Sequence, residues 1–192
     1  MEIIEINVGT LNTNCYIVTS EKETIVVDPG DDSDKIIEAL EDKSLKPKLC
    51  LLTHAHFDHV LAVVDIIEKY EIQLLLNKKD LFLLKENIEF EKIEQSIEFI
   101  DENSEVSLGN LSFQIIETPG HTPGSISLYC EEEKVAFVGD LIFAEGFVGR
   151  TDFEYSDAVE LHSSIEGILT LPPSIRAYPG HGPSFLIRDW KL

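Results

Sequence analysis

Short apolar runs closed by turn-forming residues recur from one end of the chain to the other. IIEINV (3–8), NCYIVT (14–19) and TIVV (24–27) read as strands. Residues 9–13, Gly-Thr-Leu-Asn-Thr, form a turn-like link between the first two. Asp28-Pro29-Gly30 ends the third, because proline has no N–H for a ladder and glycine permits the bend. Ile36, Ile37 and Leu40 share one face of a short helix over 35–40, with Ser33 as its cap. LCLL (49–52) predicts a strand with both faces covered, followed by a mostly apolar helix over 60–70 and a strand IQLLL (72–76). Residues 77–95 carry a loose helical pattern. LSFQIIE (111–117), SISLYC (125–130), KVAFV (134–138) and IRAY (175–178) are further strands, and Ala158, Leu161, Ile165 and Ile168 mark an amphipathic helix.

Strands open as a meander and then alternate with helices, and the second half loosely echoes the first. This order predicts an α/β protein of two sheets packed together with helices outside, in one domain over 1–192. Composition agrees, with 43% hydrophobic and 27% charged residues, as in a folded globular chain. The formal charge of −21 repels nucleic acid and anionic membrane surfaces, so neither is expected as a partner. No apolar run is long enough to span a bilayer, and MEIIEINVG does not read as a secretory leader. Cys15, Cys50 and Cys130 are odd in number and scattered, which predicts reduced core thiols and a cytoplasmic protein.

Histidines and aspartates change the picture. LCLLT runs into His54, Ala55, His56, Phe57, Asp58 and His59; FQIIETPG into His121; KVAFVG into Asp140; IRAYPG into His181. Five of the six histidines thus stand just past a buried strand. Ligand sites of open α/β sheets lie beyond the carboxyl ends of strands. If the four strands are parallel neighbours, seven ligand-type side chains meet in one cleft. His54 and His56 are two apart and point to one side of an extended backbone. Asp58 and His59 fall where the chain turns into a helix. The division this suggests is two metal ions: His54, His56 and His121 for one, Asp58, His59 and His181 for the other, Asp140 bridging. Imidazole and carboxylate donors without thiolate suit zinc, with iron or manganese as alternatives. Such a pair would make a metal-bound hydroxide at neutral pH, with Asp58 also orienting it or taking its proton.

Other residues carry weaker signals. Asp28 is either a turn carboxylate or a group orienting the 54–59 loop. Arg150 is either a substrate contact or half of a salt bridge. His162, beside the apolar stripe of its helix, reads as a partly buried structural histidine, and Tyr178 as core. No Gly-x-Ser-x-Gly elbow or Gly-x-x-x-x-Gly-Lys loop is present, so a serine nucleophile and a P-loop NTPase have no seat.

THAHFDH (53–59), GHTPGS (120–125), GD (139–140) and PGHGP (179–183), in that order, resemble the metal motifs of the metallo-β-lactamase superfamily. The resemblance runs from VVDPG (26–30) to PGHGP. It implies a four-layer αββα sandwich with a dinuclear site at one edge. VGRTD (148–152) is similar to the short glyoxalase II-like hydrolases, whose activity is hydrolysis of S-acylglutathione thioesters. The expected function is therefore metal-dependent hydrolysis of a small-molecule thioester. Three alternatives stand beside it. One is a persulfide dioxygenase-like enzyme holding a single iron on His56, His121 and Asp140. Another is a lactone or other ester or amide hydrolase of the superfamily. The last is a non-catalytic binding module stabilised by metal. Loops around 9–13, 77–97 and 141–155 are expected to shape the pocket.

Overall fold

The computed structural model describes residues 1–191. Glu2–Val8 (β1), Thr13–Ser20 (β2), Glu23–Val27 (β3), Pro47–Leu51 (β4), Gln73–Leu76 (β5) and Ile97–Phe99 (β6) form one sheet, in that order. The first three strands pair antiparallel and the rest parallel. Glu105–Leu108 (β7), Leu111–Glu117 (β8), Ile126–Cys130 (β9), Val135–Gly139 (β10), Arg176–Pro179 (β11) and Phe185–Leu186 (β12) form the second, in the order β12-β11-β10-β9-β8-β7. In this sheet only β10 and β11 pair parallel. The helices are Ser33–Asp42 (α1), Phe57–Val60 (α2), Val63–Tyr70 (α3), Leu81–Asn87 (α4) and Ala158–Ile168 (α5), with short 3₁₀ turns between strands.

The unbroken apolar strands follow from burial on both faces. Alternate side chains of one strand enter two different cores. In β2, Cys15 and Ile17 pack beneath the helices while Tyr16 and Val18 face the second sheet. Leu74 and Leu76 of β5 lie under helices and Leu75 between the sheets. In β10, Ala136 and Val138 meet α5, while Val135 and Phe137 fill the middle layer. Helices therefore cover both outer faces and the middle core joins the sheets, the αββα arrangement. Fully burying one such Leu, Ile or Phe contributes roughly 1.5–3 kcal/mol. The three cysteines are buried and free. No helix among the described residues is long and apolar enough to cross a membrane.

Several expectations need correction. The helix over 60–70 is two helices, α2 and α3. The N–H groups of Leu61 and Ala62 donate to the carbonyls of Gly30 (3.0 Å) and Pro29 (3.1 Å), outside any helical ladder. Ser33 is the first residue of α1; Asp32 occupies the cap position, and no side chain caps it. His162 is exposed, not partly buried, and its ring lies 3.4 Å from Glu166. The four strands that precede the histidines are not parallel neighbours. β4 belongs to the first sheet; β8, β10 and β11 belong to the second, with β9 between β8 and β10.

Candidate metal centre

The carboxyl ends of these strands nevertheless converge, because hydrogen bonds stitch the sheets together along one edge. Asn14 of β2 reaches across to the second sheet: its N–H donates to the carbonyl of Gly180 (2.7 Å). Its side-chain amide donates to the carbonyls of Pro179 (3.0 Å) and Gly182 (2.8 Å). The Tyr16 hydroxyl also donates to Pro179 (2.6 Å). Gly180 in turn donates to Gly139 (2.8 Å), and Ile126 to the carbonyl of Thr53 (2.8 Å). The loop after β4, the Pro-Gly-His turn after β8, Asp140 after β10 and His181 after β11 are thereby drawn to one seam.

All seven predicted ligand residues meet there. One ligating atom from each of His54, His56 and His121 lies within 4.8 Å of the others. The same holds for Asp58, His59 and His181, and for His54, His59 and Asp140. Ring centroids are 4.1 Å apart for His54 and His59, and 4.4 Å for His56 and His121.

The outer nitrogens of the buried rings are held. His59 Nδ1 lies 3.1 Å from Oδ2 of Asp28, His121 Nδ1 2.8 Å from the carbonyl oxygen of Arg150, and His54 Nδ1 3.2 Å from the Thr53 hydroxyl. Each of these outer atoms can accept, so each Nδ1 donates to it and Nε2 is the ring atom that faces inward. The Nε2 atoms of His54, His59 and His121, and Oδ1 of Asp140, are buried without any hydrogen-bond partner. A buried polar atom without a partner costs about 1–3 kcal/mol. Four such atoms at one point are what a site for divalent cations requires, and these residues fit that group.

Electrostatics agree. Burial, and then the neighbouring His59, hold His54 well below the usual imidazole range, so it is neutral. Burial and His121 take His56 down to about 3. Burial opposes the charge on Asp140, but the His59 and His181 rings keep its carboxyl well below the usual range. His54 and His56 are thus in the neutral state in which imidazole ligates, whereas at His59 burial is outweighed by the Asp140 and Asp28 carboxylates, which raise it well above the usual range, so a cation bound there would displace a proton.

Asp28 orients rather than lines the cleft. Its two oxygens accept from the Thr53 N–H (2.7 Å) and hydroxyl (2.6 Å) as well as facing His59. Arg150 sits at the rim, with Nε and Nη2 each 2.6 Å from the Asp152 carboxylate. Tyr178 stacks on Phe137 in the middle core at 5.2 Å.

Sequence reasoning missed four residues that hold this arrangement. Thr13 donates its hydroxyl to Asp58 Oδ2 (2.9 Å), and Tyr155 Oη lies 2.9 Å from His56 Nε2. Asp80, wholly buried, accepts from the N–H of Ala55 (3.0 Å), the hydroxyl of Thr122 (2.7 Å) and the N–H of Gly124 (2.6 Å). It buckles the His54–His56 loop to the His121 loop, with Thr122 as its partner. The one local signal was an aspartate at the head of an apolar helical stretch, LFLL.

A family model described as the metallo-beta-lactamase superfamily matches residues 8–181. The chain is 34% identical to the hydroxyacylglutathione hydrolase GloC of Haemophilus influenzae, over 95% of this chain and 91% of that protein. It superposes on the BLEG-1 B3 metallo-beta-lactamase with a TM-score of 0.88 at 33% identity, covering 98% of this chain and 95% of the other. It superposes on TTHA1623, crystallised in a di-iron-bound form, with a TM-score of 0.86 at 31% identity, covering 97% and 96%.

Proposed function

The chain belongs to the metallo-beta-lactamase superfamily of metal-dependent hydrolases, and from that premise we propose that it hydrolyses acyl thioesters. The reading is supported by the similarity to a hydroxyacylglutathione hydrolase along nearly the whole chain. The observation that carries it is the group of inward-facing Nε2 and carboxylate atoms left without partners at the seam between the sheets.

His54, His56 and His121 would hold one divalent cation and Asp58, His59 and His181 the other, with Asp140 between them. Two bound cations lower the pKa of water from about 15.7 towards roughly 7 and polarise a carbonyl oxygen. The donor set suits zinc, iron or manganese. Asp58 has the position and the charge to orient the attacking water and take its proton. Its Oδ2 is aimed by the Thr13 hydroxyl and lies 3.2 Å from His181 Nε2. Burial raises the acidity cost of that carboxylate, but His181 and His59 hold it down to about 2, so it is ionised at neutral pH. Leu83, Phe143, Val148 and Phe153 wall the cleft beside it. A thiolate departs without needing a strong general acid, which suits a cleft whose carboxyl groups, Asp58 and Asp140, are ionised.

The test is turnover by protein loaded separately with zinc, iron and manganese on a panel of thioesters, lactones, β-lactams and persulfides. Thiol release from thioesters at rates above those on the other classes is expected, with loss of at least a hundredfold in Asp58→Asn. Oxygen uptake with persulfide in place of thiol release would replace this reading with an oxidative one.

A further inference from the structure

The walls of the cleft narrow the substrate class. The space beside His56, Asp58, His121 and His181 encloses about 530 Å³, ample for a small acyl compound. Leu11, Phe57, Leu83, Phe143, Val148 and Phe153 line it. A second lobe of about 360 Å³ shares Phe143 and His181 with the first and continues past Phe147 and Pro183. The two lobes meet at Phe143 and the candidate ligand His181, so a substrate lying across them passes that ligand with one arm in each lobe.

Both mouths are apolar. Leu11, Phe57 and Phe147 are 51%, 48% and 66% exposed around them, in a protein whose other surfaces are dense in carboxylates. Large apolar side chains clustered around one opening mark a surface that is covered when a ligand binds.

The charges point the same way. Arg150 is the one lysine or arginine lining either lobe among the described residues, and Asp152 already holds both ends of its guanidinium edge. Its plane lies over the Phe153 ring at 4.6 Å. Bound cations would answer Asp58 and Asp140, but Glu86 in the first lobe and Glu145 in the second have no such partner. A thiol with two carboxylates, such as glutathione, meets two glutamates and one arginine that is already paired, on a chain of net charge −21.

We infer that the cleft takes thioesters with an apolar acyl arm and a thiol that carries no carboxylate. This rests on the thioesterase reading and deepens it. The preferred substrate then differs from S-lactoylglutathione at both ends: its acyl group is a hydrocarbon chain, and its thiol is neutral.

The experiment is a series of acyl-N-acetylcysteamine thioesters from acetyl to octanoyl, beside the glutathione thioesters of the same acyl groups and S-lactoylglutathione, on the metal-loaded protein. kcat/KM should rise about fourfold per methylene while the chain remains within the cleft. At low salt each neutral thioester should exceed its glutathione counterpart at least tenfold, the gap narrowing as salt screens the glutamates. Leu11→Ser should flatten the chain-length slope, and Glu86→Lys should raise kcat/KM for the glutathione thioesters selectively. A flat acyl series, or S-lactoylglutathione as the best substrate, overturns the inference while leaving thioester hydrolysis intact. If no thioester is turned over, the thioesterase reading fails, and calorimetry with S-alkyl-N-acetylcysteamine thioethers still decides the cleft. Affinity that grows with alkyl length upholds its apolar selectivity, and affinity that does not refutes it.

Discussion

The hydroxyl of Tyr155 lies 2.9 Å from Nε2 of His56, across 99 residues of sequence. That contact occupies the nitrogen which the other buried histidines turn inward, and leaves Nδ1 of His56 as its ligating atom. The Tyr155 ring is itself fixed, stacked on Phe153 at 5.3 Å with 7° between planes and meeting Phe82 edge-on at 5.4 Å. Tyr155→Phe keeps the stack and removes the oxygen. Loss of such an outer partner typically weakens metal affinity by 10–100-fold. Chelator competition should therefore show one weakened ion and one unchanged, with metal-free stability altered by no more than about 1 kcal/mol. Two unchanged affinities would show that the hydroxyl does not position His56.

Asp80 plays a different part, since it touches no candidate ligand side chain. It accepts from Ala55, which separates His54 from His56, and from Thr122 and Gly124 just after His121. Asp80→Ala leaves the buried N–H groups of Ala55 and Gly124 without an acceptor, at about 1–3 kcal/mol each, while the Thr122 hydroxyl keeps Ser125 as a partner. Asp80→Asn retains one acceptor oxygen but sets an amide N–H₂ against a donor. Both variants should lose about 3 kcal/mol or more in urea unfolding and bind metal more weakly, and Asp80→Glu should rescue neither because Gly124 leaves no room: a Cβ there would lie 2.5 Å from Asp80 Oδ1. Normal metal affinity in a folded Asp80→Asn would refute the buckle.

These residues explain which parts of the site could be read from sequence. His54, His56, Asp58, His59, His121, Asp140 and His181 stand out because each interrupts or ends an apolar strand, a local anomaly. Asp80 and Tyr155 are anomalous only in three dimensions, since their partners lie 25 to 99 residues away. The same division runs through the fold. Strands buried on both faces announce themselves as apolar runs, whereas β6 is half exposed and acidic at its centre, and β7 is four residues long. The break between α2 and α3 depends on carbonyls of Pro29 and Gly30, which no periodicity within 57–70 reveals. His162 follows the buried Leu161, and a single helical step of about 100° is enough to carry it to solvent.

Metal uptake should release protons. Burial works to lower the His181 pKa, but Asp140 and Asp58, which face its Nε2, raise it from 6.5 to about 9. In metal-free protein at pH 7 the ring is therefore protonated, and ligation through Nε2 requires that proton to leave. Calorimetry in buffers of different ionisation enthalpy should detect its release, with affinity rising up to about pH 9. The sign for stability follows from the same shifts. A raised folded pKa contributes stability that is complete below pH 6.5 and lost as pH rises through about 9. Asp58, lowered from 3.8 to about 2, contributes stability that is present above pH 3.8 and lost as pH falls through about 2. The Tm of the metal-free protein should accordingly fall between pH 6.5 and 9, and that of the loaded protein should not. No proton release at pH 7 would mean that His181 is already neutral.

Gly180 offers a sharper separation of site from fold. A Cβ placed on it would lie 2.1 Å from Asp140 Oδ1 and 2.7 Å from His59 Cε1. The backbone cannot withdraw, because the Gly180 N–H donates to Gly139 and its carbonyl accepts from Asn14, at 2.8 and 2.7 Å. The side chains must yield instead, and Asp140 is the residue lying between the two ligand groups. Gly180→Ala should therefore fold, with a loss of about 1–3 kcal/mol from overpacking, yet lose bound metal and at least a hundredfold in activity. Gly167→Ala is the matched control: it lies inside α5 with nothing within 4 Å, and helix propensity should stabilise that variant by roughly 0.5–1 kcal/mol with activity unchanged. Metal analysis of both purified variants decides the matter, since full occupancy in Gly180→Ala would place the cations away from Asp140.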